Sequence, residues 1–339
     1  MSIASSGLFT RLRMASPKVT ASKDPDALRI GTLGAVKVAP VALINPAKSM
    51  KTINVVSIAA RDPNRAKEFA KKHGIPNTHA TNDSQISDPS IDCIYDPLPN
   101  GLHYEWTKSA LEAGKHVLLE KFSASNAAQT RELSQLAKHK SLVLLEAFHY
   151  RFHPALIYFK DLIRRHVAAG HRIERVESVM SFMSFFSRDD IQFNYKLAGG
   201  KVDSTVPKIV AEDIDGHMDA TMTLNNGAKA TLVASLTNPW LSIQTWKEFT
   251  PRFVVETEAK AYHYCTIKDK ATGTTENLPK VHKEGYQTHR HQLEAFVQGV
   301  RNGGGDEKTI PGWVSGENNV AAMEVIDSIY KAAGMRLRQ

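Results

Sequence analysis

Residues 28–39 read LRIGTLGAVKVA: a short apolar strand, a turn that begins at Gly34, and the start of a helical pattern that continues through 41–50. A strand, a glycine turn and a helix in direct succession is the context that a dinucleotide-binding fingerprint requires. Against G-x-G-x-x-G/A, Gly34 takes the first glycine position and Ala39 the last, where alanine is permitted, while Val36 stands at the second. The middle glycine lets the backbone approach a pyrophosphate closely, so Val36 predicts a looser approach or a slightly shifted ligand.

The next strand, 53–60, is rich in Val and Ile and ends in Ala60 and Arg61. An acidic residue about 20 positions past the glycine turn grips the ribose 2′-hydroxyl of NAD, whereas an arginine there can hold a 2′-phosphate through bidentate contacts. Arg61 therefore predicts NADP over NAD. The helix that follows is well punctuated, with Asp62 as N-cap, Pro63 in the first turn and Gly74 just past the end. Arg65 lies in that first turn, where it is expected to be solvated or to add a second phosphate contact.

Strand and helix go on alternating: a buried strand at 92–98, a helix at 102–113, a strand at 116–119, a helix opened by Asn126 and Gln129 and reaching about His139, and a strand at 141–148. Such alternation argues an α/β domain with a doubly wound parallel sheet and right-handed crossovers. In the middle of it, GKHVLLEKF at 114–122 places Lys121 at the carboxyl end of a strand that reads as buried on both faces. Ligands of open α/β sheets bind outside those carboxyl ends, so Lys121 is a candidate for proton chemistry.

Beyond a helix starting at Pro154 the pattern changes to longer, alternating, hairpin-linked strands. Segments 217–224 and 228–235 flank Asn225-Asn226-Gly227, a strong hairpin signal, and 253–257 with 261–267 reads as another antiparallel pair. Amphipathic helices follow at 287–301 and 317–333. The chain thus divides into a flexible extension (1–26), a Rossmann domain (27–150) and an α+β domain (151–339) with an open, largely antiparallel sheet.

Composition narrows the function. With 339 residues and 42% hydrophobic content the chain can bury a sizeable core, and no apolar run approaches the ~20 residues of a membrane span. The net charge of +8 is spread among acids, which argues against nucleic acid. Cys93 and Cys265 lie far apart, so neither a disulfide framework nor a thiolate metal site is expected, and the setting reads as cytoplasmic. The first 22 residues carry Arg11, Arg13, Lys18 and no acid, which leaves mitochondrial import as the minority alternative. His149 with His153, and His289 with His291, lack a third ligand at hand, so no metal is expected; the second pair opens an amphipathic helix and is expected to be solvated.

Several ordered motifs carry a family resemblance: LRIGTLG at 28–34, PLPNGLH at 97–103, AGKHVLLEK at 113–121, EAFHYRFHP at 146–154 and MEVIDSIYKAAGMRLR at 323–338. Together they resemble the glucose–fructose oxidoreductase, inositol dehydrogenase and rhizopine-catabolism (Gfo/Idh/MocA) family, with a likeness to dimeric dihydrodiol dehydrogenases and NADP-dependent D-xylose dehydrogenases. The resemblance implies hydride transfer between NADP and a sugar such as a D-xylose-like pyranose, or a trans-dihydrodiol, by an enzyme acting on CH–OH groups and working as a homodimer. It implies Lys121 as the catalytic base. The implied cofactor-binding set is Gly31, Gly34, Val36 and Lys37, then Arg61, then Pro99, Asn100 and His103, then Glu120 beside Lys121, and Arg151. Phe122 stands where the family's Glu-Lys-Pro motif has a proline that is often cis, which puts the geometry of that loop in question.

One family element is missing. LAGG at 197–200 is similar to the turn before a helix that carries an aspartate and a tyrosine or histidine, yet KVDSTVP follows at 201–207 and resembles the strand after that helix. Neither Asp203 nor Tyr195 is in the context to replace it. The join predicts either a segment dropped from this sequence, with turnover impaired in this chain, or, as the alternative function, a dinucleotide-binding sensor that does not catalyse.

Overall fold

The computed structural model describes residues 20–181, 209–211, 214–215, 217–224, 226–235, 252–257, 259–263, 266–277, 288–332 and 337. The join at 200/201, Tyr195 and Asp203 lie outside them. The described residues fall into two compact units, one within Met1–His153 and Lys283–Glu324, the other within Pro154–His282 and Val325–Gln339.

The first unit alternates as the sequence predicts: β1 (Leu28–Leu33), a π-helical turn (Pro40–Ile44) running into α1 (Asn45–Lys48), β2 (Ile53–Ala59), α2 (Pro63–His73), β3 (Asn77–His79), α3 (Asn82–Ile86), β4 (Cys93–Asp96), α4 (Asn100–Glu112), β5 (His116–Leu119), α5 (Ala127–His139) and β6 (Leu144–Glu146). The strands form one sheet in the order β3-β2-β1-β4-β5-β6, every pair parallel. The reversal of order on either side of β1 makes the sheet doubly wound and creates a switch point beside it.

Both faces of this sheet are covered, which is why its strands read as unbroken apolar runs. On one side Ile30, Ile53 and Ile58 share a core with Ala39, Leu43, Ile44, Leu293 and Phe296; on the other Leu33, Ile94, Val117 and Leu119 meet Ala110, Leu111 and Leu133. Leu293 and Phe296 belong to α7 (Thr288–Arg301), which the sequence boundary at 151 puts in the second domain. Full burial of each is worth about 1.5–3 kcal/mol, so α7 is integral to the first unit's core. Arg290 Nη1, donating to Ser49 O at 3.0 Å, ties it to the end of α1. Helix α8 (Gly316–Ala332) follows it in the chain.

The amino-terminal approach is also anchored. Within the stretch expected to be flexible, Lys23 Nζ donates to the carbonyls of Ala47 and Met50 at 2.7 Å, and Asp26 pairs with Arg301. Strand β6 is shorter than the predicted 141–148, because Ser141 turns left-handed (φ 55°) after α5 and Phe148 hands the chain to a 3-10 turn, His149–Phe152. The pattern also misses β3 and α3, two short elements joined by a capping box between Thr81 and Ser84.

Gly31 illustrates how tightly β1 is packed. A Cβ there would lie 2.6 Å from Gln85 Nε2 and 2.9 Å from Ser57 Oγ, and these two buried groups already hydrogen-bond each other at 2.7 Å. Gly31→Ala is therefore expected to destabilise the fold by about 1–3 kcal/mol, read as a lowered urea midpoint.

The second unit holds α6 (Pro154–Ala168), β7 (Ile173–Ser181), β8 (Ile209–Ala211), β9 (Ile214–Asp215), β10 (His217–Thr223), β11 (Lys229–Ser235), β12 (Arg252–Thr257), β13 (Lys260–His263), β14 (Thr266–Asp269) and β15 (Thr275–Asn277). Its seven-stranded sheet runs β10-β11-β7-β12-β13-β14-β15 and is antiparallel except for β11 against β7. The predicted hairpin forms, with Gly227 at φ 83° between β10 and β11. The predicted single strand 261–267 is instead two strands: His263 pairs with Thr266 and the chain doubles back. A reversal without Gly, Pro or Asn leaves the alternating pattern intact, so periodicity cannot see it.

Candidate active site

Three features gather at the carboxyl edge of the parallel sheet: the turn after β1, the end of β2, and the loops after β4 and β5. At the first, Gly34 sits at φ 78°, where a Cβ would press on Leu98 Cδ2 at 3.0 Å, and its N–H donates to Ala59 O at 2.7 Å. Glycine is required there by both conformation and space. Ala39 is fully buried, as close packing of the following helix demands, while Val36 is half-buried and Lys37 exposed. Arg61 is exposed just past β2. Arg65 reaches back to the same turn, its Nη2 3.5 Å from Ala35 O. Lys37, Arg61 and Arg65 thus supply cations on or just beyond the turn, while the neighbouring acid Asp62 caps α2 by accepting from Asn64 N. Gly31 is part of the strand, and its smallness is explained by packing.

The loops after β4 and β5 are locked together. Pro99 is the N-cap of α4. With its side-chain amide in the orientation that satisfies both partners, Asn100, first residue of that helix, donates from Nδ2 to Lys121 O and accepts at Oδ1 from Phe122 N, both at 3.1 Å. The Lys121–Phe122 peptide bond is cis. His103 is fully buried, with its two ring nitrogens 2.6 Å from the carbonyl oxygens of Phe122 and Leu98. It shapes the loop and has no nitrogen left to offer a ligand. Beneath it, Asp96 accepts from Leu98 N and Thr107 Oγ1, and burial raises its carboxyl above the usual range.

Lys121 itself is exposed at the end of β5, and among the described residues its Nζ has no hydrogen-bond or ion-pair partner. The neighbouring Glu120 is spoken for: Oε1 accepts from Tyr95 OH at 2.8 Å. An ammonium held on a rigid strand end, with its backbone fixed by Asn100 and its head free, is arranged to exchange a proton with a ligand.

Around Lys121 stand Glu146, to which the sequence assigned no role, and several groups that the sequence did name. Glu146 ends β6, buried, and accepts from Ser123 N at 2.8 Å; burial pushes its carboxyl up to about 7. His149 and His289 stack with ring centroids 4.0 Å apart, and His149 Nδ1 lies 2.6 Å from Thr288 Oγ1. Burial, then His289 and the Lys121 charge, drive His149 down to about 3; burial and Lys121 lower His289 to about 4, so both rings are neutral. The expectation of solvated histidines at 289 and 291 is therefore corrected: α7 turns its first residues into the unit, and His291 is buried as well. Arg151, in the 3-10 turn, is half-buried, and the charges of Tyr150 and Glu146 act on it. Among the described residues no group of three or more His, Cys, Asp and Glu side chains could hold a metal, and no helix is long and apolar enough to cross a membrane.

Residues 28–148 match the family model described as the Gfo/Idh/MocA oxidoreductase family, NAD-binding Rossmann fold. Over 334 residues the chain is 29% identical to a D-xylose 1-dehydrogenase (NADP(+)) of Haloferax volcanii, covering 90% of this chain and 97% of that protein. Over its Rossmann unit the chain is similar to the Gfo/Idh/MocA family. A second relative, the human trans-1,2-dihydrobenzene-1,2-diol dehydrogenase, is 37% identical over 123 residues, 36% of this chain and 37% of its own. The fold is matched as well. A 3-ketoreductase from Actinomadura kijaniata, solved with NADP and TDP-benzene, superposes with a TM-score of 0.71 at 19% identity, over 90% of this chain and 98% of its own.

Proposed function

We propose that this chain is an NADP-dependent oxidoreductase that moves hydride between the nicotinamide and a CH–OH group of a small sugar or cyclic diol. The observation that carries the reading is Lys121, free at its head and fixed at its backbone on the edge of a Rossmann sheet. The residues present suit the cofactor: Gly34 provides the turn, Lys37 stands exposed beside it, and Arg61 with Arg65 offers guanidinium groups where an acid would repel a 2′-phosphate. Bound NADP supplies the hydride acceptor or donor.

The chain's own part is proton transfer and orientation. In the oxidative direction neutral Lys121 Nζ takes the hydroxyl proton as the alcohol carbon becomes a carbonyl; in the reductive direction the ammonium returns it. Asn100 and His103 keep the loop from moving while this happens. The relatives named above act on a pentose and on a dihydrodiol, and a pyranose of the D-xylose type or a trans-dihydrodiol is the substrate class we infer. A homodimer in a reducing, cytoplasmic setting fits the same reading.

The test follows reduced nicotinamide absorbance with D-xylose, other pyranoses and a trans-dihydrodiol. Arg61→Asp is expected to raise KM for NADP about 10- to 100-fold, the loss of a charge-assisted contact worth about 1.5–3 kcal/mol, while leaving NAD use unchanged or improved. Thermal stabilisation by NADP without turnover on any such substrate would instead support the sensor.

A further inference from the structure

We propose that Glu146 is a positioning residue for Lys121, tying the loop that carries it to β6 through the Ser123 N–H and setting an ionisable carboxyl within electrostatic reach of its ammonium. The inference rests on the reading of Lys121 as the catalytic base. Its geometry is independent of that reading: Glu146 is buried at the end of β6, and Ser123, two residues past Lys121, donates to Oε1 at 2.8 Å. Nothing in the sequence reading gave Glu146 a role.

The charged and titratable groups that face this carboxyl come from two directions. From the end of β5 come Glu120, which opposes ionisation, and Lys121, which favours it; from the 3-10 turn come Arg151, which favours it, and Tyr150, itself pushed up by burial. Arg151 faces Glu307 in turn. Desolvation outweighs the cations and the Ser123 bond, so the carboxyl titrates at about 7. Across neutrality, then, an anion appears or vanishes beside the base, and the loop's anchor changes from a charge-assisted hydrogen bond to a neutral one.

Glu146→Gln separates the two contributions, because the amide oxygen still accepts from Ser123 while the ionisation is gone. The pH profile of kcat/KM is expected to lose an inflection near neutrality in this variant, with KM for NADP within about twofold of wild type; Glu146→Asp, which keeps a carboxyl, is expected to retain an inflection. A second readout needs no turnover. In protein labelled with 13C at the glutamate carboxyls, the Glu146 resonance, assigned by its loss in Glu146→Gln, is expected to titrate about half a pH unit higher in Lys121→Met, where a favouring cation has been removed. An unaltered inflection in Glu146→Gln, or an unmoved Glu146 titration in Lys121→Met, overturns the proposal. Wild-type turnover in Lys121→Met overturns the base reading instead, and the carboxyl titration still decides the coupling.

Discussion

Lys121→Met is expected to reduce turnover by roughly 10²- to 10⁴-fold, the range that a positioned general base or acid contributes, while leaving NADP affinity within a few-fold of wild type. Two features of the structure make the comparison clean. The Lys121 head makes no hydrogen bond or ion pair with the described residues, so its replacement breaks no contact there. What fixes the loop is backbone: Lys121 O and Phe122 N are held by Asn100, and Phe122 O by His103. The loop should therefore keep its shape with methionine in place. Thermal unfolding with and without NADP, alongside steady-state kinetics in both directions, reads both halves of the expectation. A variant that turns over at the wild-type rate would end the assignment; one that loses cofactor stabilisation would show that the lysine is part of the binding site first. Because the Lys121 charge also opposes protonation of His149 and His289, the same variant should tolerate mild acid slightly better than wild type.

What the chain discloses before folding depends on the range of the interaction involved. The glycine turn, the strand ends and Lys121 are legible because each is set by neighbours in sequence: Gly34 by its positive φ, Asp62 by the N–H two residues on, Lys121 by the apolar run before it. The parallel order of the first sheet follows from strand–helix alternation alone. By contrast, Glu146, His149 and His289 acquire their character from burial and from partners far along the chain, as Thr288 is to His149, and no local pattern encodes that. The repeated histidines in HYRFHP and THRHQ were the available signal, and a solvated helix start was the wrong reading because α7 fits against the glycine-turn side of the sheet. Gly31 is the converse case. It sits in a motif suited to a ligand, yet its smallness answers to Gln85 and Ser57.

Mild acid should destabilise the first unit through the stacked pair. In the unfolded chain both histidines take up a proton near 6.5; in the fold His289 resists until about 4 and His149 until about 3. Between those limits the unfolded state binds more protons than the native one, so the stability that the neutral pair carries above 6.5 is lost as the pH falls. From pH 7 to pH 5 the loss is about 2 kcal/mol for each ring, or about 4 kcal/mol for both, against a total stability of about 5–15 kcal/mol. Glu146 works in the other sense. Its carboxyl is raised from 4.5 to about 7, so the native state holds its proton more tightly and the fold gains stability over the same descent, fully expressed only below 4.5. By pH 5 this returns about 2–3 kcal/mol, enough to mask much of the histidine effect in the wild-type protein. Variants separate the two. Urea unfolding of Glu146→Gln at pH 7 and pH 5 should show the steeper acid loss, since the compensating group is gone. His149→Asn with His289→Gln should show the opposite, a much smaller loss between pH 7 and pH 5 than wild type, because the stacked pair no longer takes up protons on unfolding while Glu146 still gains stability over the same descent. If the double variant loses as much stability as wild type on going to pH 5, the pair is not what binds protons on unfolding, and the acid response lies elsewhere in the chain.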